Sequence, residues 1–468
     1  MTETAREAAS WRALLDRQYR VTCGVLAGGV ALLAVNETMT ASVMPTAIAD
    51  VNGERLYAWV VTLFLGGSVL SGATAFWVLR HNGARRSYLI GSAIIAVGSI
   101  MCAVAPNTAF LVAGRAVQGV AGGLLAGIGY ATIRASLPKV LWARMAALLS
   151  VIVGLQVFIA PAIGGLFVRF AEWRWAYAVT VVLAGALAIL VQTAFDGTSV
   201  DEGIIEHESR IPLRSLLLIA ASMVAVNLAH IPENGMIRTA FLLAAAVLVV
   251  AFVAVDRRSV ETVLPPSTFS SPSLKWAYIT IAFLMAALMV DAYVPLFGQR
   301  LSNLTPATAG ILGGALTLGW VGSQVVSASL INQRAITYVV VAGPVTMLAG
   351  LLLTAAHCGC SSVRDTTLWA LGLLLIGVGY GSAYPHLLVQ VMAAVDGPAE
   401  SRQASIAINI VAQFAAALAV GVAGVVDVTT GDTFVAGDLK SAPWLFIVFI
   451  VPAIGAVLAA YRATHLKQ

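Results

Sequence analysis

The sequence is short of charge. Only 10% of its 468 residues are Asp, Glu, Lys or Arg, against about a quarter in an ordinary soluble chain. So few charges cannot cover a water-facing surface of this size, which excludes a soluble enzyme. Cysteine is scarce as well: Cys23, Cys102, Cys358 and Cys360 are too few, and too apolar in setting, for a disulfide framework. No glycine-rich phosphate loop with its lysine occurs, so no ATP site is expected. The formal charge of +5 comes from scattered clusters rather than one basic patch, which argues against a nucleic-acid partner. The first twenty residues mix Arg6, Arg12, Arg17 and Arg20 with Glu3, Glu7 and Asp16. They lack the apolar core and small-residue cleavage site of a signal peptide and read as a cytoplasmic tail.

What is present is apolar: 59% of the chain, with a mean hydropathy of +0.90. A membrane-spanning helix needs about 20 mostly apolar residues. Runs of that kind fall at 21–46, 56–79, 87–105, 109–133, 143–168, 175–195, 213–230, 236–255, 274–298, 306–330, 335–356, 367–392, 403–427 and 442–461. The expectation is an all-α integral membrane protein of fourteen spans. With the N-terminus inside, 19 of the 27 basic residues fall on the inner side and 7 on the outer, Arg115 lying within a span. That asymmetry fits both termini being cytoplasmic. Polar linkers at 196–212 and 256–273 divide the chain. The expected organisation is a tail (1–20), a six-helix bundle (21–195), linkers with a central hairpin (196–273), a second six-helix bundle (274–461) and a short tail (462–468). Two six-helix bundles are a transporter's plan, with the site where they meet.

Several stretches resemble the major facilitator superfamily, in particular its fourteen-helix drug:proton antiporter branch. Glu37 stands eight residues before Pro45 in the first span, where the family usually has Asp, and Tyr57-Ala58-Trp59-Val60 opens the second. The fourth carries Arg115, Gln118 and Gly119, similar to the family's Arg–Gln–Gly motif. The fifth carries Ala160-Pro161-Ala162-Ile163-Gly164-Gly165, similar to the antiporter motif. Glu172-Trp173-Arg174-Trp175 resembles the lead into the sixth helix. The loop motif between spans two and three departs from the pattern: Gly83, Arg85 and Arg86 remain, but Arg80 stands where the family has an aspartate that latches the cytoplasmic gate. The resemblance implies a proton-coupled exporter of amphipathic, cationic compounds in the bacterial cytoplasmic membrane. Its implied partners are small substrates, protons and lipids, with a monomeric chain and no cofactor. Export of a lipid-like metabolite and a non-cycling, transporter-shaped sensor stand as alternatives, the latter on account of Arg80.

Charges within spans demand explanation, because each costs at least about 2.5–3.5 kcal/mol at mid-bilayer on insertion scales. Glu37 and Arg115 lie at compatible depths, roughly 13 and 9 Å from the same side at 1.5 Å per residue. Asp291 precedes Pro295 in the leading span of the second bundle. Glu37 and Asp291 are therefore expected on opposite walls of one cavity, exchanging protons and meeting a cationic substrate. The competing reading makes Glu37–Arg115 a static interhelical bridge. Further cavity candidates are Asn36, Gln118, Tyr130, Gln156, Tyr293, Tyr384, His386, Asn409 and Gln413. Pro161, Gly164 and Gly165 would form a flexible seam. Asp427 ends its span and reads as solvated. His357-Cys358-Gly359-Cys360 is too sparse a donor set for a metal, and none is assigned.

Overall fold

The computed structural model describes residues 16, 19–51, 53, 56–136, 141, 145, 148–149, 152, 173–194, 211–259, 261–302, 304–330, 332–358, 362–394, 398–429 and 442–465. Among them the side chains of Phe76, 130–136, Arg300, Arg402 and Asp427 and of a few helix ends are not described. The described chain is helical: α1 (Arg20–Asp50), α2 (Tyr57–Ala103), α3 (Thr108–Ser136), α4 (Arg174–Ala194), α5 (Leu213–Leu228), α6 (Gly235–Arg258), α7 (Pro272–Leu288), α8 (Val294–Leu301), α9 (Pro306–Ser327), α10 (Gln333–His357), α11 (Val363–Ala393), α12 (Pro398–Thr429) and α13 (Ala442–His465).

Twelve stretches among the described residues are long and apolar enough to cross a membrane. They coincide with twelve of the fourteen runs read from the sequence. The run at 213–230 is the shorter helix α5, of 16 residues, and most of the run at 143–168 lies outside the described residues. The lipid-facing character is plainest on α6. Only Ala245, Phe252 and Asp256 are buried there, while Leu243, Val247 and Val250 are exposed. An apolar face of that length left uncovered is stable only against hydrocarbon. Helix starts follow local chemistry: Asn234, Ser271, Thr305, Asn332 and Ser362 each accept a hydrogen bond from a backbone N–H of the first turn, of α6, α7, α9, α10 and α11 respectively. Pro272 and Pro306 occupy the first turn, where no intrahelical N–H bond is lost.

The second and third spans are one 47-residue helical stretch, turned at Gly83 (φ 71°, ψ 169°). A Cβ there would meet nothing within 4 Å, so the backbone conformation, not space, calls for glycine. Elsewhere glycines permit close crossing. A Cβ on Gly119 or Gly123 of α3 would lie 2.0 Å from the carbonyl oxygen of Phe64 or Ser68 of α2. The same contacts recur later in the chain: Gly377 and Gly381 of α11 approach the carbonyls of Leu316 and Trp320 of α9 at 1.8 and 2.1 Å. Gly98 against Gly114 is likewise repeated by Gly350 against Gly372. One shift of 252 residues carries α2 onto α9 and α10, and one of 258 carries α3 onto α11. The two parts of the chain are thus packed by one glycine pattern used twice.

Candidate functional site

The α7–α8 span is broken. After Leu288 the α-helix gives way to a five-residue 3₁₀ turn, Met289–Tyr293, and resumes at Val294, with Pro295 in its first turn. Proline at 295 has no N–H to bond backwards, which favours the interruption. Asp291 sits on this turn, half-buried, and its Oδ1 would be 3.7 Å from a Cβ placed on Gly313 of α9. The broken turn also meets the N-terminal part of the chain. The Tyr57 hydroxyl of α2 donates to the carbonyl of Ala292 at 3.0 Å, and the Tyr57 and Tyr293 rings lie 5.7 Å apart. Nearby, Gln299 Nε2 of α8 donates to the carbonyl of Ser42 of α1 at 3.4 Å.

Glu37 projects from α1 and remains exposed, although Asn36 and Met39 beside it are buried. Its charge is within reach of Asp291 from the later part of the chain and of Arg115 from α3. The structure thus brings together the three charged groups picked out by sequence.

It does not make them a salt bridge. Arg115 is 3% exposed and places Nη1 2.8 Å from Gln118 Oε1 and 3.5 Å from Thr40 Oγ1, its guanidinium 4.3 Å over the Phe64 ring. No Glu37–Arg115 ion pair exists among the described residues, so the static-bridge reading is corrected: Gln118 holds the guanidinium along its own helix and leaves Glu37 free for other partners. Gln118 in turn donates to Asn36 Oδ1 (3.1 Å) and Ser99 Oγ (2.8 Å). This buried network joins α1, α2 and α3. The 252- and 258-residue shifts map Ser99, Arg115 and Gln118 onto Leu351, Leu373 and Ile376, all fully buried. The polar network therefore belongs to one part of the chain, and its counterpart is hydrocarbon.

The other expected residues divide by placement. Asn36 and Gln118 are buried within the network. Tyr293 is buried against Phe297 and Phe449 and donates to the carbonyl of Val420 at 3.2 Å, so it packs rather than lining open space. His386 Nε2 lies 2.9 Å from Ser327 Oγ. Tyr384 is half-buried and stacks on Tyr380 at 5.1 Å, with Trp320 edge-on to Tyr380. That aromatic group on α9 and α11 was only partly visible in sequence: Tyr380 and Tyr384 show helical i, i+4 spacing, but nothing links them to Trp320. Asn409 and Gln413 are half-buried on α12, Asn409 facing Gly72 of α2. Gly119 makes the close α2–α3 crossing, and Gly83 the turn that Arg80, Arg85 and Arg86 flank. Gln156, Pro161, Gly164 and Gly165, and the side chains of Tyr130 and Asp427, lie outside the described residues.

Two loops find partners that sequence did not supply. Asp50 accepts from Trp173 Nε1 (3.1 Å) and pairs with Arg174 (3.0 Å), fastening the end of α1 to the start of α4. His357 Nδ1 lies 3.0 Å from Asp365 Oδ1, and among the described residues no His, Cys, Asp and Glu group could hold a metal.

The profile of the Major Facilitator Superfamily matches residues 26–420. The chain belongs to this superfamily. It is 49% identical, over 99% of its own length and 98% of the relative's, to a probable multidrug-efflux transporter of Mycobacterium tuberculosis. A multidrug transporter of Bacillus subtilis is 23% identical over 76% of this chain and 65% of its own length. Among solved structures, a POT family transporter in complex with 5-aminolevulinic acid superposes with a TM-score of 0.69 at 12% identity, covering 96% of this chain and 97% of that one. The nucleoside transporter NupG gives 0.64 at 13%, covering 95% and 99%. These likenesses establish the fold. The superfamily chain is a multi-pass membrane transporter.

Proposed function

We propose that this transporter exports amphipathic, cationic small molecules in exchange for protons, by alternating access across the bacterial cytoplasmic membrane. The reading is carried by one observation: the accessible carboxylate of Glu37 and the carboxylate of Asp291, contributed by opposite parts of the chain, lie within reach of each other's charge. Two acids sharing a site can hold a cation or a proton between them, and the exchange of one for the other is the coupling. Arg115, anchored by Gln118, biases the acid on its own side without consuming it in an ion pair. The relative of M. tuberculosis, named as a probable multidrug-efflux transporter, supports the export of small molecules.

The proposed architecture is two six-helix bundles (21–195 and 274–461) around a central hairpin, fourteen spans in all, with both ends of the chain in the cytoplasm. The repeated glycine pattern supports the twofold plan, and the bias of basic residues supports the orientation. On that orientation the Tyr57–Ala292 and Gln299–Ser42 bonds close the outer side. External protons would neutralise the acid pair and release the cation. Inward deprotonation would restore the site.

The test is internal pH in proteoliposomes challenged with a panel of lipophilic cations. Substrate-dependent proton movement in the wild type, lost in Glu37→Gln or Asp291→Asn, is the expected result. Substrate binding without proton movement in the wild type would overturn the antiport reading.

A second reading, transport of a lipid-like metabolite, draws on an apolar cavity of about 850 Å³ walled by α6, α7, α12 and α13. Phe283, Phe414, Trp444 and Pro452 are among its lining residues. Competition by long-chain lipids for cation-driven proton movement would favour it.

A further inference from the structure

The hairpin helix α5 is wedged between α2 and α12 by polar contacts that the proton-and-substrate site does not use. The hydroxyl of Thr62 on α2 lies 2.6 Å from Asn227 Oδ1 on α5. Just past α5, the buried side chain of His230 places Nδ1 2.7 Å from the carbonyl oxygen of Asn227 and Nε2 2.9 Å from the carbonyl oxygen of Gly421 on α12. A Cβ on Gly424 would come within 2.4 Å of Nε2, so the ring is seated in a space that glycine leaves open.

Both partners are main-chain carbonyls, which only accept hydrogen bonds. A neutral imidazole has one N–H; its other nitrogen would turn a lone pair towards a carbonyl oxygen at hydrogen-bond distance. Only the imidazolium, with two N–H donors, satisfies both contacts. We propose that His230 is a further proton-binding site: charged, it ties the central hairpin to α12, and on losing its proton it gives up one of the two bonds and loosens that seam. Because α5 is also bonded to Thr62, the tie spans the boundary between the two parts of the chain.

The groups around the ring are few in charge. Trp59 on α2 lies 6.5 Å away, ring to ring, and Ala58 and Thr62 are the neighbouring α2 residues on this seam. Arg238 on α6 is a like charge whose field reaches the ring, its Nη2 donating to the carbonyl of Pro232. Glu233, on the turn before α6, is exposed. No carboxylate among the described residues forms an ion pair with His230, and the side chain of Asp427 on α12 is outside that set. Carbonyl dipoles are what face the ring, and one of its two bonds, present below the transition, is lost as pH rises through it.

The experiment uses the full chain in lipid nanodiscs with ¹⁵N-labelled histidine. The His230 resonances are assigned through their contact with Trp59 and by their loss in His230→Gln. Two protonated ring nitrogens at the acid end, giving way to one as pH rises, are expected. After division by the intrinsic amide rate, which is base-catalysed and climbs with pH by itself, the protection of segments 213–230 and 417–425 should fall about tenfold or more over the same range, as a charge-assisted bond is lost. In His230→Gln the protection factors should be insensitive to pH. A single neutral tautomer at every pH would overturn the proposal, as would a titration that leaves the protection factors unchanged. Both readouts are taken without substrate, so they stand or fall separately from cation-driven proton movement. The wild-type spectrum decides alone if the variant does not fold.

Discussion

Arg115 shows how one residue can be legible in type and illegible in partner. Its place inside a span and its spacing from Gln118 and Gly119 marked it, yet sequence paired it with the acid at matching depth. Geometry pairs it with Gln118, three residues along the same helix, because an i, i+3 neighbour is always within reach whereas an interhelical partner depends on packing. The consequence is testable. Gln118→Leu removes the acceptor of a buried guanidinium and the donor to Asn36 and Ser99. Stranding such groups costs about 1–3 kcal/mol each, more when charged, so thermal unfolding in detergent should show a loss of at least about 2 kcal/mol. Arg174→Ala is the contrasting case. Its bridge to Asp50 is partly exposed at both ends, and pairs of that kind contribute about 0–1 kcal/mol. Arg174 also donates to the carbonyl of Ala105 and lies over the Trp173 ring, so the same unfolding measurement should show a loss, but a smaller one than Gln118→Leu gives.

Among the helices, length and hydropathy carried most of the information. Twelve spans could be read because a bilayer requires apolar runs of a set length; the Asn, Ser and Thr caps that begin five of them were seen only in the structure. Two features could not be read that way. The 3₁₀ turn at Asp291 needs the neighbouring helices to receive its freed backbone groups, as Tyr57 does for Ala292. The glycine pattern needs both members of each crossing: Gly119 reads as a small residue until Phe64 is seen behind it. The matched crossings predict matched damage. Gly123→Val and Gly381→Val would each drive a side chain into a backbone carbonyl, at 2.0 and 2.1 Å. Each should destabilise by at least about 1–3 kcal/mol, the usual cost of overpacking. Gly185→Ala on α4, with nothing within 4 Å of the added carbon, should be neutral or gain about 1 kcal/mol from helix propensity. Yield and melting temperature across the three variants check this.

For the transporter as a whole, the decisive arrangement is the meeting of its early and late parts. Tyr57 crosses from α2 to the broken turn, and Gln299 crosses from α8 to α1. Closing bonds of this kind hold one side shut in one state and are absent in the other, so removing one shifts the balance between states. Tyr57→Phe keeps the ring contact with Tyr293 and deletes only the bond. A shift of about 0.5–1.5 kcal/mol is expected, some two- to tenfold in population. It should appear as faster labelling of a cysteine introduced at Ser42 by an impermeant thiol reagent, in a background free of native cysteines. Unchanged labelling would mean that the Tyr57 bond does not hold that side closed.

The acceptors in these latches share a property. Ala292, Ser42, Val420 and Gly421 all contribute main-chain carbonyls, and the side chains at the other end do the recognising. A carbonyl oxygen is encoded by every amino acid. Mutation can therefore drift freely through the receiving half of each latch so long as packing is kept, while Tyr57, Gln299, Tyr293 and His230 carry the whole message. The joints of this machine are in that sense written on one side only, and a residue-by-residue comparison of its descendants would find donors facing blanks.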